Sequence, residues 1–415
     1  MVSALAWLLP ILVLVPPAPV VPAAPAFEAS TVAGTAVGRV KSLSGGFAVA
    51  WDDPATPPGD LVALRRVGRA IPARPREPML VLANGDVVAG ATLGGDANRV
   101  TFRPRVLGPR AEPWAVPLTA VAAAWLDAPD ADTPAEPARY SWAGDGKRDA
   151  LLLRTRDVLR GGIDGLTPEG VRFKSADRPA EVVPLGRVAA VAFDPTLARV
   201  RKVKTVHARV VLADGSRLTL TQVSADAAAL RGVSPAGPRV EVGWAEVVAL
   251  DVVNGPATSL ADLTPKAAEV TPFTGLSWPW RTDRSVRGEP LRLRGESGVS
   301  TFDRGLGLHS RTRLTYDLAG KYRRFEARVG LDAATGRRGA ADVTILLDGK
   351  PAPLESLRRL SAATGTVAVS LDATGATELT LLVDYGPGGD TQDDVNFADA
   401  RLIESPAIPA RGANP

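Results

Sequence analysis

The sequence predicts an all-β protein: tandem small antiparallel β units followed by a C-terminal β-sandwich. Three observations predict it. The 415 residues include 36 prolines and 40 glycines, which cut the chain into many short elements joined by turns. Three stretches in the first 253 residues repeat one strand-turn-strand pattern. From about Leu260, apolar residues alternate with period two over successive segments, as strands with one buried face require.

Residues 1–26, MVSALAWLLPILVLVPPAPVVPAAPA, open with an apolar run from Ala4 to Val15. A membrane span needs about 20 apolar residues, so this run is short for one and suits a secretory signal. Ala24-Pro25-Ala26 offers small residues for cleavage, although the segment lacks the usual Lys or Arg at its start. The expectation is an exported chain, periplasmic, cell-surface or extracellular. Its membrane contact is limited to this segment if it stays uncleaved.

The repeats come next. LVLANGDVVAGATLGGDANRVTF leads to VPLTAVAAAWL, LLRTRDVLRGGIDGLTPEGVRF to VPLGRVAAVAF, and ARVVLADGSRLTLTQVSADAAALRG to VGWAEVVALDV. Each reads as a strand, a turn, two further strands and a Val/Ala-rich closing segment, either strand or short helix. Asn84-Gly85 and Asp214-Gly215 predict two-residue hairpin turns with positive φ at both central positions. The units fall at 78–127, 151–194 and 205–253, with a degenerate copy at 33–74 and a linker at 128–150. Their architecture is similar to SH3 or Sm barrels, which licenses no activity. His207 reads as a strand-edge residue and Asp52-Asp53 as turn chemistry.

Composition excludes several functions. There is no cysteine, hence no disulfide, zinc-thiolate site, thiol nucleophile or lipobox-type lipid anchor. The net charge is +4, and the densest basic run, Arg201-Lys202-Val203-Lys204, has no aromatic beside it; no nucleic-acid partner is expected. Asp393-Asp394 are adjacent and diverge, so they do not form a glycosidase carboxylate pair. Neither histidine, His207 or His309, lies in a nucleophile-elbow context, and Gly305-x-Gly307 lacks the remaining glycines of a dinucleotide loop. The chain is expected not to be an enzyme and to need no cofactor.

In the last third, Leu314, Tyr316 and Leu318 share one face of RLTYDL, and Phe325, Ala327, Val329 and Leu331 share one face of FEARVGL. DVTILLDGK, TVAVSL and ELTLLV continue the alternation. The string GLGLHSRTRLTYDLAGKYRRFEARVGLD, with LADLTP and SWPWRTDRS upstream and VNFADARL downstream, resembles the NPCBM domain over residues 257–404, leaving a tail at 405–415. That family is a carbohydrate-binding module type first noted beside family 98 glycoside hydrolases. The resemblance implies a galactose-binding-like jelly-roll sandwich and, in some members, binding of galactose-containing glycans. Phe397 stands where the family often has Trp, and Ala333-Ala334 replace part of an acidic cluster. Some relatives hold a structural calcium, for which Asp303, Asp332 and Glu404 are the donors left.

Sugar recognition needs a flat apolar face for ring C–H groups and fixed polar groups for hydroxyls. Trp278 and Trp280 are candidates for the face or else pack beneath the sandwich; Tyr385, in DYGPGGDTQDD, is a more exposed candidate. His309, Arg311, Asp394 and Asn396 are the polar candidates. His309 either contacts ligand or anchors its turn. Carbohydrate binding by an exported non-catalytic protein is the expected function. The alternatives are a structural or protein-interaction envelope protein that has lost sugar binding, and an accessory subunit of a glycoside hydrolase.

Overall fold

The structure, a computed structural model, describes residues 24–405 except 131–132, 134–139, 144–146, 176–178, 198–201, 274, 276 and 337. The segment 1–23 and the tail beyond 405 lie outside the described residues. The described residues form strands joined by turns and short 3-10 segments. None forms a helix long and apolar enough to cross a membrane.

The second unit shows the repeat plan. Met79–Leu82, Val87–Gly95, Arg99–Pro104 and Trp114–Pro117 run as an antiparallel meander, and Val121–Trp125 returns to pair with Met79–Leu82. A single 3-10 turn, Leu118–Ala120, precedes the closing strand. The third unit repeats this with Asp149–Leu153, Val158–Leu166, Gly170–Lys174, Glu181–Pro184, the 3-10 turn Leu185–Arg187 and Val188–Ala192. The fourth uses His207–Leu212, Arg217–Ala225, Ala229–Val233, Arg239–Gly243 and Val247–Val253. The closing segments are therefore strands. The first unit begins upstream of residue 33, because Phe27–Thr31 pairs with both Thr35–Gly38 and Gly59–Arg66.

Core packing explains the glycines that punctuate the repeats. A Cβ on Gly90 would lie 2.7 Å from Phe102 Cζ, and one on Gly161 would lie 2.8 Å from Phe173 Cζ. The fourth unit reverses the sizes: Leu220 is the large residue, and a Cβ on Gly232 would meet its Cβ at 2.9 Å. Cores tolerate such exchanges when total volume is kept.

The hairpin turns differ from the two-residue expectation. Gly85 N–H donates to Leu82 O and Leu82 N–H to Asp86 O, so the loop has three residues with only its last, Gly85 (φ 90°), left-handed. The loop Ala213–Gly215 is alike, and in the third unit Arg156 (φ 74°) takes the glycine position. Surroundings separate these turns. A Cβ on Gly85 meets nothing within 4 Å, whereas one on Gly215 would lie 2.3 Å from Ala73 O. Gly85→Ala is expected to cost about 1 kcal/mol through its φ alone. Gly215→Ala is expected to cost clearly more, because backbone must move. Equal falls in melting temperature would show that the 71–75 segment yields freely.

The stretch 128–150 is not a plain linker. Tyr140 is buried, its hydroxyl accepts from Trp125 Nε1 at 3.2 Å, and Trp142 stacks on it at 5.5 Å between ring centres. Together they extend the core between the second and third units.

Units also join through their closing strands. Ala123–Trp125 pairs with Ala190–Ala192, and Ala249–Asp251 pairs with Ala63–Arg65. The second unit is thus fused to the third, and the fourth to the first. His207 opens its strand buried, with Nδ1 2.8 Å from Thr205 O.

The C-terminal domain is a sandwich of two antiparallel sheets. One runs Arg281–Thr282, Gly305–Leu308, Val395–Glu404, Tyr322–Leu331, Val367–Asp372, with Ala257–Ser259 on the far half of Val395–Glu404. The other runs Ala267–Val270, Thr312–Asp317, Glu378–Tyr385, Ala340–Leu347, Lys350–Pro351, with Leu360–Ser361 beside Ala340. Between them lie Leu306, Leu314, Tyr316, Phe325, Val329, Ile345, Leu381 and Phe397. Arg324, Glu326 and Arg328 on Tyr322–Leu331, and Asp399 and Arg401 on Val395–Glu404, face the other way, onto the repeats.

That outer face carries a buried charge chain. Glu326 accepts from Ser30 Oγ (2.8 and 3.0 Å), Arg324 Nε (2.8 Å) and Arg401 Nε (3.0 Å). Arg401 reaches Asp251 at 3.4 Å, and Arg65 bridges Asp251 and Asp399, each at 2.6 Å. Arg324 also donates to Thr31 O at 2.6 Å. Beside this chain the hairpin Leu291–Gly295/Gly298–Phe302 inserts Leu291, Leu293 and Phe302 against Ile71, Val211 and Val248. Repeats and sandwich therefore share an interface of apolar contacts and matched charges.

Candidate functional site

Two crossings meet at one end of the sandwich. Gly305–Leu308 belongs to the first sheet and Thr312–Asp317 to the second, so His309-Ser310-Arg311 carries the chain across. Glu378–Tyr385 returns through residues 386–394 to Val395–Glu404 at the same end, since Leu308 pairs with Val395 and Thr312 with Val383. Hydrogen bonds tie the crossings together. Ser310 Oγ donates to Asp393 Oδ2 at 2.8 Å, and Asp332 N–H donates to Asp394 O at 2.8 Å. Burial raises the Asp393 carboxyl above its ordinary range, opposed by the Ser310 hydrogen bond.

His309 is 2% exposed. Its Nδ1 lies 2.6 Å from Ser310 O. A carbonyl only accepts, so Nδ1 carries the proton, and in the neutral ring Nε2 is an acceptor. Nε2 faces Asp394 Oδ1 at 3.7 Å, which is too far for a hydrogen bond. Asp394 Oδ2 is held by Arg287 Nε at 2.5 Å, while buried Oδ1 has no hydrogen-bond partner among the described residues. Asn396 Nδ2 donates to Asp332 Oδ2 (2.7 Å) and Arg292 O (3.2 Å), and its buried Oδ1 is likewise without a partner. Burial also raises the Asp332 carboxyl, opposed by Asn396.

An aromatic-cationic pair, Trp278 and Arg287, lies against His309 and Asp394. The Trp278 ring stacks with His309 at 5.7 Å between centres and 28° between planes. The Arg287 guanidinium sits 5.0 Å from the Trp278 ring centre, in cation–π range. Arg287 is half exposed and Asp394 is not, so the pair spans from solvent to interior.

Six of the seven expected contact residues divide between two patches. Trp278, His309 and Asp394 come together in the first, and Asn396 is joined to it through Asp332, whose N–H donates to Asp394 O. Trp280 packs against the sandwich core instead. Arg311, exposed, faces Asp384 at 3.7 Å, and Tyr385 donates its hydroxyl to Thr271 O at 3.1 Å; these form the second patch. Sequence reasoning missed Arg287, which lies 107 residues from Asp394 in an irregular stretch. The signal was present: Trp278 lies in the same SWPWRTDRSVR string.

The calcium donors are not brought together. Asp303 is taken by Arg217 (3.1 Å) and Arg74 (3.5 Å), which hold its carboxyl below the ordinary range despite burial. Asp332 and Glu404 lie near opposite ends of the Tyr322–Leu331/Val395–Glu404 pair, roughly 30 Å apart at the strand rise per residue. No cluster of three or more His, Asp or Glu suited to a metal occurs among the described residues.

Residues 257–403 match the family described as the NPCBM/NEW2 domain. Among solved structures, CBM51 from Clostridium perfringens GH95, solved with methyl-galactose, is 25% identical, with 35% of this chain and 99% of that chain covered and a TM-score of 0.32. The CBM51-2 and INT domains of Clostridium perfringens ZmpB, solved with GlcNAc, are 24% identical over 42% of this chain and 36% of that chain, TM-score 0.32. Tandem CBM51 modules of a family 98 glycoside hydrolase from Streptococcus pneumoniae are 12% identical over 62% and 88%, TM-score 0.32. No curated protein matches the chain.

Proposed function

We propose that this chain, whose residues 257–403 form an NPCBM/NEW2 domain, is an exported, non-catalytic protein that binds carbohydrate at the sandwich end marked by His309. The observation that carries the proposal is a surplus of acceptors. Asp394 Oδ1 and Asn396 Oδ1 are buried acceptors without donors among the described residues, and His309 Nε2 faces Asp394 Oδ1 at 3.7 Å. Leaving such groups unsatisfied costs about 1–3 kcal/mol each. A sugar is a dense array of hydroxyl donors, and two neighbouring hydroxyls satisfy Nε2 and Oδ1 together. Trp278 supplies the apolar face beside them, and Arg287 donates from the rim.

The repeats present this end of the sandwich on a fixed base, through the buried charge chain. Screening the full chain on a glycan array, with galactose-containing glycans among the probes and with calcium or chelator present, tests the reading. Binding of at least one glycan family is expected; silence across the array overturns it.

A second reading is favoured by one observation. His309, Asp394 and Asn396 are at most 2% exposed, as in a turn built for stability. In that case the protein is structural, and the acceptors are internal to the fold. Glycan silence together with a large loss of stability in His309→Asn supports this second reading.

A further inference from the structure

We propose, resting on the carbohydrate reading above, that the same end of the sandwich holds a second subsite built on Phe273, so that the ligand is a neutral glycan of at least two sugar residues. Phe273 is 58% exposed, one of the few large apolar side chains on the surface. It is nevertheless positioned. Its ring meets Tyr385 edge-on, 5.2 Å between centres, and its Cζ lies 3.6 Å from where Gly389 would carry a Cβ. Tyr385 is fixed in turn by its hydroxyl bond to Thr271 O, two residues before Phe273. An aromatic ring held in place while more than half of it stays exposed is the arrangement that stacks on the C–H face of a sugar.

Polar groups stand beside it. Thr271 N–H donates to Arg311 O, so the Phe273 segment is attached to the crossing that also carries His309. His309 and Arg311 are two residues apart, within about 7 Å along the chain. The Arg311 guanidinium is 53% exposed and loosely paired with Asp384 at 3.7 Å. This pair offers both donors and acceptors to hydroxyls. It is also charge-balanced, as is Arg287 with Asp394 in the first patch. In each patch the exposed arginine is already paired with a carboxylate, so the second subsite is assigned a neutral sugar rather than a sialic or uronic acid.

The test uses the full chain. An array of monosaccharides with their neutral and sialylated di- and trisaccharide extensions identifies the best ligand. Titration calorimetry then compares that ligand with its terminal monosaccharide. The extended glycan is expected to bind at least tenfold more tightly. Phe273→Ala is expected to bring it down to the monosaccharide's affinity while leaving the monosaccharide unchanged, and Phe273→Trp to restore the gain. The exposure of Phe273 keeps both variants folded, as thermal melts will show. Equal affinity for long and short ligands, or a Phe273→Ala variant that binds both as the native chain does, overturns the subsite and leaves the carbohydrate reading intact. A preference for sialylated extensions overturns the neutral assignment. Absence of binding to every glycan overturns the carbohydrate reading, and the subsite with it.

Discussion

Glu326→Ala is expected to lower the stability of the full chain by about 3–5 kcal/mol, the usual result of removing one partner from a buried ion pair. Glu326 is 8% exposed and receives hydrogen bonds from Ser30, Arg324 and Arg401. Without it, the largely buried guanidinium groups of Arg324 and Arg401, side by side on the sandwich face that meets the repeats, lose the carboxylate they share. Urea denaturation checks the size, and limited proteolysis shows whether the two parts separate first. A loss below about 1 kcal/mol would mean that the guanidinium groups reach water in the variant.

The same residue fixes a pH signature. Burial pushes the Glu326 carboxyl up, but Arg401, Ser30 and Arg324 outweigh it, and the folded value lies below the ordinary one. A carboxylate lowered on folding contributes stability above its unfolded pKa, about 4.3 for Glu, and loses it as pH falls through the folded value. Glu326→Gln should therefore be most costly near pH 7, with a cost that shrinks as pH falls below about 4.3. Asp303 is lowered in the same sense by Arg217 and Arg74. Asp251 runs the other way, because burial outweighs Arg65 and raises it. A cost that stayed constant from pH 7 to 3 would contradict the ionic account.

The second large effect separates the two roles of His309. Asn places its amide N–H near the position of Nδ1–H, so His309→Asn keeps the bond to Ser310 O while removing Nε2 and the ring that stacks on Trp278. This variant is expected to fold normally and to lose at least tenfold in glycan affinity, about 1.4 kcal/mol. His309→Ala removes the ring from Trp278 and leaves a buried carbonyl without its donor. It is expected to lose both binding and about 1–3 kcal/mol of stability. Calorimetry and thermal melts on both variants provide the split. Unchanged affinity in a folded His309→Asn would assign the imidazole to the turn alone.

Local regularities made much of the sandwich legible. The alternation through Leu314, Tyr316 and Leu318, and through Phe325, Ala327, Val329 and Leu331, predicts a buried face, and these residues are buried. Asn396 alternates with the core positions of VNFADARL, and Asp394 directly precedes that string. What escaped is held by distant partners. Arg65 and Asp399 are 334 residues apart, and Ser30 and Glu326 are 296 apart, so no local pattern links them. Glu326 itself reads as an ordinary solvent-facing residue, since period two marks only which side faces the core. Tyr140 and Trp142 were lost in a polar stretch that composition marks as a linker. The hairpin loops were misjudged by one residue, because Asn-Gly also fits a loop in which only glycine is left-handed.

The fusion of the first and fourth units has a kinetic consequence. In a solenoid each repeat leans on its neighbour, and folding can start anywhere and spread. Here Ala63 pairs with Asp251, and the edge of the earliest unit waits for the last strand of the repeats. Such distant pairings slow folding, because the connecting chain must be closed before any contact rewards it. The first unit therefore stays unfinished until most of the chain has been made. Removing Val247–Val253 should leave the unit nearest the N-terminus, not merely the one truncated, prone to aggregation through its bared strand.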